Sequence, residues 1–142
     1  MPVPYADKFP FRRIAAWSAG VYWLVLLLIM HVPLEREQEY VEASTINADK
    51  LTHFGCYALF AALLCWAFDE RRQLFPEAWP RSRLVGLLGV IALLAAYGII
   101  DEQTQPWTGR DCNLRDYIAD MIGAVSGTIA YVLAIRIPHA AR

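Results

Sequence analysis

The chain has 142 residues, enough for one domain, of which 57% are apolar and 19% charged, with a formal net charge of −1. No basic stripe offers a nucleic-acid surface, and the apolar residues lie in long blocks without the period-two alternation of a membrane β-barrel. The expectation is an all-α, polytopic membrane protein, a single domain over residues 1–142.

The polar segment 1–13 carries Lys8, Arg12 and Arg13 next to a first apolar block, Ile14 to Val32. That block exceeds the ~7–15 apolar residues of a secretory signal and leads into Pro33-Leu34-Glu35-Arg36, which offers no small-residue cleavage site. It reads as a retained transmembrane helix, for which about 20 residues suffice. Residues 34–48 are acidic and suit a solvated loop or a short surface helix. The second block, Leu51 to Phe68, is entered through Asp49-Lys50, and Asp49 is placed to cap it. A hydrophilic linker, 69–83, holds four arginines and two prolines. The third block, Leu84 to Ile100, extends to Gln105, because Pro106 lacks the N–H and the room to continue a helix. After a polar loop the fourth block runs Tyr117 to Ile137 and stops at Pro138. The predicted spans are therefore 14–32, 51–68, 84–105 and 117–137, in a compact bundle.

Four spans put both termini on one side. Lys8, Arg12, Arg13, Arg71, Arg72, Arg81, Arg83, Arg136 and Arg142 share that side, against Arg36, Lys50, Arg110 and Arg115 on the other. The positive-inside rule places the termini in the cytoplasm and the second side outward.

The outward helix ends carry the ionisable groups. Asp49, His53 and Tyr57 follow at intervals of four, as do Tyr97, Asp101 and Gln105, with Glu102 beside them. Asp101 and Glu102 end their helix where the macrodipole is negative, so they need cations or protons from elsewhere. Asp116 and Asp120 continue at the same interval into Gly123 and Gly127, a small-xxx-small face that permits close helix approach. His53 and Asp120 sit about one turn, ~5 Å, inside their spans. An ionisable group there marks a functional site by default. His53 can act as general acid or base if Asp101 or Glu102 fixes its tautomer. Lys50 and Arg110 can hold a phosphate or carboxylate. A carboxylate cluster can also take a cation, but these residues specify no metal, and no cofactor is indicated. There is no Ser-His-Asp spacing, glycine-rich phosphate loop or HExxH motif. Cys56 and Cys65 lie in apolar blocks and read as core; Cys112, in the loop, is the thiol that solvent can reach.

Asp49-Lys50-x-x-His53-x-x-x-Tyr57, Asp101-Glu102-x-x-Gln105, Gly109-Arg110 and Asp116-x-x-x-Asp120-x-x-Gly123-x-x-x-Gly127 together resemble the VanZ family of bacterial membrane proteins. The resemblance covers residues 14–137; many members carry Asn where this chain has Asp120. It implies a multi-helix protein of the bacterial cytoplasmic membrane, surrounded by membrane lipid. It also implies a link to low-level resistance against glycopeptides of the teicoplanin type, an association of the family's name-giving member.

Three functions fit these features. The first is an outward polar pocket that recognises, and in its catalytic version modifies, an anionic envelope component. The natural candidates are a lipid-linked or cell-wall precursor or the glycopeptide itself. In this reading His53, Asp101 and Glu102 are catalytic, while Asp49, Lys50, Tyr57, Gln105, Arg110, Asp116 and Asp120 bind. The second is a non-catalytic accessory protein whose charges form an internal clasp. The third is a proton- or cation-coupled transporter, which at this size calls for a homo-oligomer. A membrane-impermeant maleimide tests the orientation that the first requires. It should label Cys112 in intact cells and fail on Cys112→Ser; labelling that needs permeabilised cells would invert the topology.

Overall fold

A computed structural model describes residues 9–31, 48–68 and 81–136. Four helices fill them: α1 (Phe9–His31), α2 (Ala48–Phe68), α3 (Arg81–Thr104) and α4 (Leu114–Arg136), with a single 3-10 turn, Gln105–Thr108, after α3. No strand occurs among the described residues. The helices hold 23, 21, 24 and 23 residues, and each contains a window long and apolar enough to cross a bilayer. In hydrocarbon a helix satisfies its backbone groups within itself, so length and apolar composition suffice to make these blocks helical.

The boundaries differ from expectation at several ends. α1 begins five residues early, at Phe9, and Arg81 to Arg83 belong to α3 rather than to the linker. Asp49 lies within the first turn of α2, so it does not cap that helix, and its carboxylate goes elsewhere. α4 starts at Leu114 because Asn113 caps it: the Asn113 side-chain oxygen accepts the Arg115 N–H at 3.0 Å. The chain does not stop before Pro106; it tightens into the 3-10 turn, whose first positions tolerate a residue without an N–H. Gly109, at φ 84°, then reverses the chain in the left-handed region where glycine has no steric penalty. The acidic stretch expected as a loop or surface helix, up to residue 47, and the linker up to residue 80 lie outside the described residues.

α2 and α4 make the most extensive helix contact, α1 packs on α2, and α3 closes against α4 and α2. The core between them holds Leu26, Met30, Tyr57, Ala61, Leu94 and Ala124, all with zero exposure. An aromatic layer crosses it: Tyr22 meets Phe60 with centroids 5.9 Å apart, Phe60 meets Tyr97 at 6.4 Å, and Tyr97 stacks on Tyr57 at 6.1 Å. The Tyr22 hydroxyl also donates to the Cys56 carbonyl at 3.1 Å, joining α1 to α2. Cys65 is buried and Cys112 exposed. Large apolar side chains such as Trp17, Leu28, Val85, Ile100 and Ile129 cover the outside, as lipid contact requires.

The close approach of α2 and α4 rests on two glycines. A Cβ added at Gly123 would run into the Phe54 carbonyl, and one at Gly127 into the Ala58 carbonyl. Backbone cannot move aside as a side-chain tip can. Gly127→Ala should therefore destabilise the protein in detergent by about 1–3 kcal/mol through overpacking. Gly55→Ala, where a Cβ meets open space, should be neutral or mildly stabilising, and thermal unfolding of both variants checks the contrast.

Candidate functional site

The ionisable groups of α2, α3 and α4 form one connected polar layer at one end of the bundle. His53 is its hub, and its side chain has zero exposure. One ring nitrogen, Nδ1, lies 2.9 Å from Asp120 Oδ1 and 4.0 Å from Glu102 Oε1. The other, Nε2, points to Asp49, with Oδ1 3.9 Å away, and makes no hydrogen bond. The imidazole thus has Glu102 and Asp120 at Nδ1 and Asp49 at Nε2, and it also gathers with Asp49 and Asp116 within 4.8 Å.

These positions follow from the helices. The Gly123/Gly127 contact brings α4 against α2, and Asp120, one turn before Gly123, meets His53, one turn after Asp49. An ionised Asp120 only accepts hydrogen bonds, so the proton of a neutral His53 belongs on Nδ1, leaving the Nε2 lone pair unused. The orienting partner of His53 is therefore Asp120, where Asp101 or Glu102 was expected.

Asp101 and Glu102 are handled separately. Glu102 accepts the Gln105 amide at 3.2 Å and the Asn113 backbone N–H at 2.8 Å. The second contact sets a carboxylate from the C-terminal end of α3 against the N-terminal end of α4, where the dipole is positive. The macrodipole conflict read from the sequence is resolved by the neighbouring helix. Asp101 receives long hydrogen bonds from the hydroxyls of Tyr57 at 3.5 Å and Tyr97 at 3.4 Å. It also lies 3.7 Å from His31 Nδ1.

His31 was missed by the sequence reading. It ends α1, its Nδ1 donates to the Leu27 carbonyl at 2.9 Å, and its Nε2 lies 2.9 Å from the Thr104 hydroxyl. The available signal was its position, a polar residue closing the first span at the same membrane level as Asp49 and Asp101. The two expected anion-holding cations are both engaged. Arg110 Nη2 donates to Asp49 Oδ1 at 2.7 Å, and Lys50 Nζ lies 3.1 Å from Asp116 Oδ1. These two pairs form the accessible rim of the layer, with side-chain exposures of 26% for Asp49, 29% for Lys50 and 11% for Arg110. Behind them Gln105 and Asp120 are fully buried and each keeps one oxygen, Oε1 and Oδ2, without a hydrogen bond.

All ten residues singled out in the sequence thus fall in one layer. Chemically the layer offers an oriented imidazole with a free lone pair, buried carboxylates on either side of it, and a rim of two opposed ion pairs.

Compared with known proteins, the chain matches a family model described as VanZ/LLP1 over residues 6–135. No curated protein and no solved structure matches it.

Removing one member of the buried His53–Asp120 pair leaves the other buried without its partner, which costs about 3–5 kcal/mol. His53→Ala should lower thermal stability in detergent by roughly that amount. The double variant His53→Ala, Asp120→Ala should lose less than the two single losses added together, and the size of the coupling in that cycle measures the pair.

Proposed function

Because the chain belongs to the VanZ/LLP1 family and carries four membrane-crossing helices, we propose that its polar layer is an outward-facing site for an anionic component of the bacterial envelope. The headgroup of a lipid-linked or cell-wall precursor fits best. The supporting observation is the rim: two partly exposed cations, Lys50 and Arg110, stand on adjacent elements with carboxylates they can exchange for a ligand. A phosphate arriving from the membrane surface takes a bidentate fork from Arg110 and a point charge from Lys50. The outward direction is supported by the asymmetry of Lys and Arg between the two sides. In the catalytic version His53, oriented by Asp120, exchanges a proton with the ligand through Nε2, and Asp101 and Glu102 set the surrounding negative field. Resistance to teicoplanin-type glycopeptides follows from this reading only if the ligand is the wall precursor that such antibiotics engage.

A second reading has a specific observation in its favour. Arg110–Asp49 and Lys50–Asp116 are ion pairs that tie α2 to the loop before α4 and to α4 itself, the second without hydrogen-bond geometry at Asp116 Oδ1. That is what an internal clasp would look like. Against it, a clasp satisfies its own polar atoms, whereas this layer leaves buried oxygens of Gln105 and Asp120 and a buried nitrogen of His53 without hydrogen bonds.

Binding of polyprenyl phosphate to the protein in nanodiscs, followed by native mass spectrometry, separates the two. A hydrogen bond to a charged group contributes about 1.5–3 kcal/mol. Lys50→Ala and Arg110→Ala should each weaken binding by roughly tenfold to a hundredfold. The reversed pair Asp49→Arg, Arg110→Asp should restore stability without restoring binding. Equal binding by wild type and both alanine variants would sink the site reading.

A further inference from the structure

The imidazole of His53 is arranged as a metal ligand. Its Nδ1 is held by Asp120 at 2.9 Å, while Nε2 is buried, makes no hydrogen bond and faces Asp49 Oδ1 at 3.9 Å. Asp116 adds a further carboxylate: one ligand atom from each of Asp49, His53 and Asp116 lies within 4.8 Å of the others. We propose that His53 Nε2, Asp49 and Asp116 bind a divalent first-row transition metal ion.

Three features support this beyond the gathering of acids. First, ligand atoms each about 2.0–2.2 Å from a shared ion stand about 3–4 Å apart, and the Nε2 to Asp49 separation falls in that range. Second, metal-bound histidines nearly always give their other ring N–H to a carboxylate, which fixes the tautomer and turns the free lone pair toward the ion. Asp120 fills that outer place. Third, the candidate ligating carboxylates are themselves held, Asp49 by Arg110 at 2.7 Å and Asp116 by Lys50 at 3.1 Å, as ligands in metal centres usually are.

The Nε2 atom is the observation that a purely structural network leaves unexplained. A neutral histidine with its proton on Nδ1 presents a bare lone pair there, in a position with no exposure. At 3.9 Å even a protonated Nε2 would be too far from Asp49 for a hydrogen bond. An ion between the two groups gives the Nε2 lone pair a partner.

The donor set selects the class of ion. One imidazole nitrogen with two carboxylates suits zinc, manganese or ferrous iron, whereas magnesium and calcium prefer oxygen alone. Three protein ligands leave at least one coordination position open, the arrangement of sites that handle a further ligand. Asp49, partly exposed, puts that open position on the accessible side of the layer. The metal site does not depend on the envelope-ligand reading: it can hold an ion with no precursor present. If both hold, His53 is a ligand and not the acid or base.

The symmetry of the ring offers a competing location, since His53, Glu102 and Asp120 also gather within 4.8 Å on the Nδ1 side. There, however, Asp120 lies at hydrogen-bond distance from Nδ1, and Glu102 already accepts from Gln105 and Asn113. On the other side the ring nitrogen itself, Nε2, has no hydrogen bond.

Full-length protein in detergent, stripped with a chelator and titrated with Mn²⁺, tests this, the free ion being followed by electron paramagnetic resonance. About one ion per chain should bind in the wild type. Asp49→Asn, on the accessible rim, and His53→Gln should weaken binding by more than about a hundredfold, beyond the range of outer-shell losses. Asp120→Asn keeps an acceptor for Nδ1–H and should stay within the roughly 10–100-fold range of outer-shell losses. Gel filtration and thermal unfolding establish that each variant is folded; if His53→Gln is not, Asp49→Asn decides. No saturable binding by the wild type, or binding that Asp49→Asn leaves intact, would overturn the proposal. Loss in Asp120→Asn with retention in Asp49→Asn would do so as well, by moving the ion to the Nδ1 side.

Discussion

The contact between α2 and α4 determines most of what else this protein can do. Gly123 and Gly127 let the α4 backbone come against the carbonyls of Phe54 and Ala58, closer than any side chain would permit. In a membrane, where lipid is as apolar as leucine, such backbone proximity and the interhelical polar contacts it allows are the main source of association between helices. The register set by the two glycines also sets the register of the residues a turn further along. Asp120 is thereby delivered to His53, and Asp116 to the neighbourhood of Lys50 and Asp49. Packing and chemistry are consequences of the same two positions.

The second organising constraint is charge. Asp49, Asp101, Glu102, Asp116 and Asp120 share one layer with two permanent cations, Lys50 and Arg110, and two histidines, His31 and His53. The permanent cations are spent on Asp49 and Asp116, at the rim. The three deeper carboxylates rely on donors instead: tyrosine hydroxyls for Asp101, an amide and the start of α4 for Glu102, and the His53 ring for Asp120. Buried carboxylates held by hydrogen bonds rather than by fixed positive charge leave a net demand for protons or a cation. Both the anion-exchange reading of the rim and the metal reading of His53 Nε2 draw on that imbalance, from opposite sides.

Below the polar layer lies the aromatic one. Tyr57 and Tyr97 belong to both, with stacked rings in the core and hydroxyls on Asp101. Tyrosine suits this boundary because a single side chain has an apolar body and a polar tip. The arrangement separates lipid-like packing from ionic chemistry within a few ångströms. It fixes α3 through Tyr97 without placing a charge deeper in the bundle.

The sequence by itself determined the all-helical membrane architecture, because four apolar blocks of spanning length admit no other fold in a bilayer. It also determined which residues gather, since spacing by four puts Asp49, His53 and Tyr57, or Asp116 and Asp120, on one face of any helix they form. The glycine stripe told which face of α4 turns inward. Spacing along one helix says nothing of how two helices are rotated and slid against each other. For that reason the partner of His53, the pairing of Arg110 with Asp49 and of Lys50 with Asp116, and the part played by His31 were decided only by the tertiary structure. The same holds for the ends of α3 and α4: the conflict between Glu102 and its own helix dipole was legible, but its resolution came from the Asn113 N–H, at the cap of a helix that only folding brings alongside.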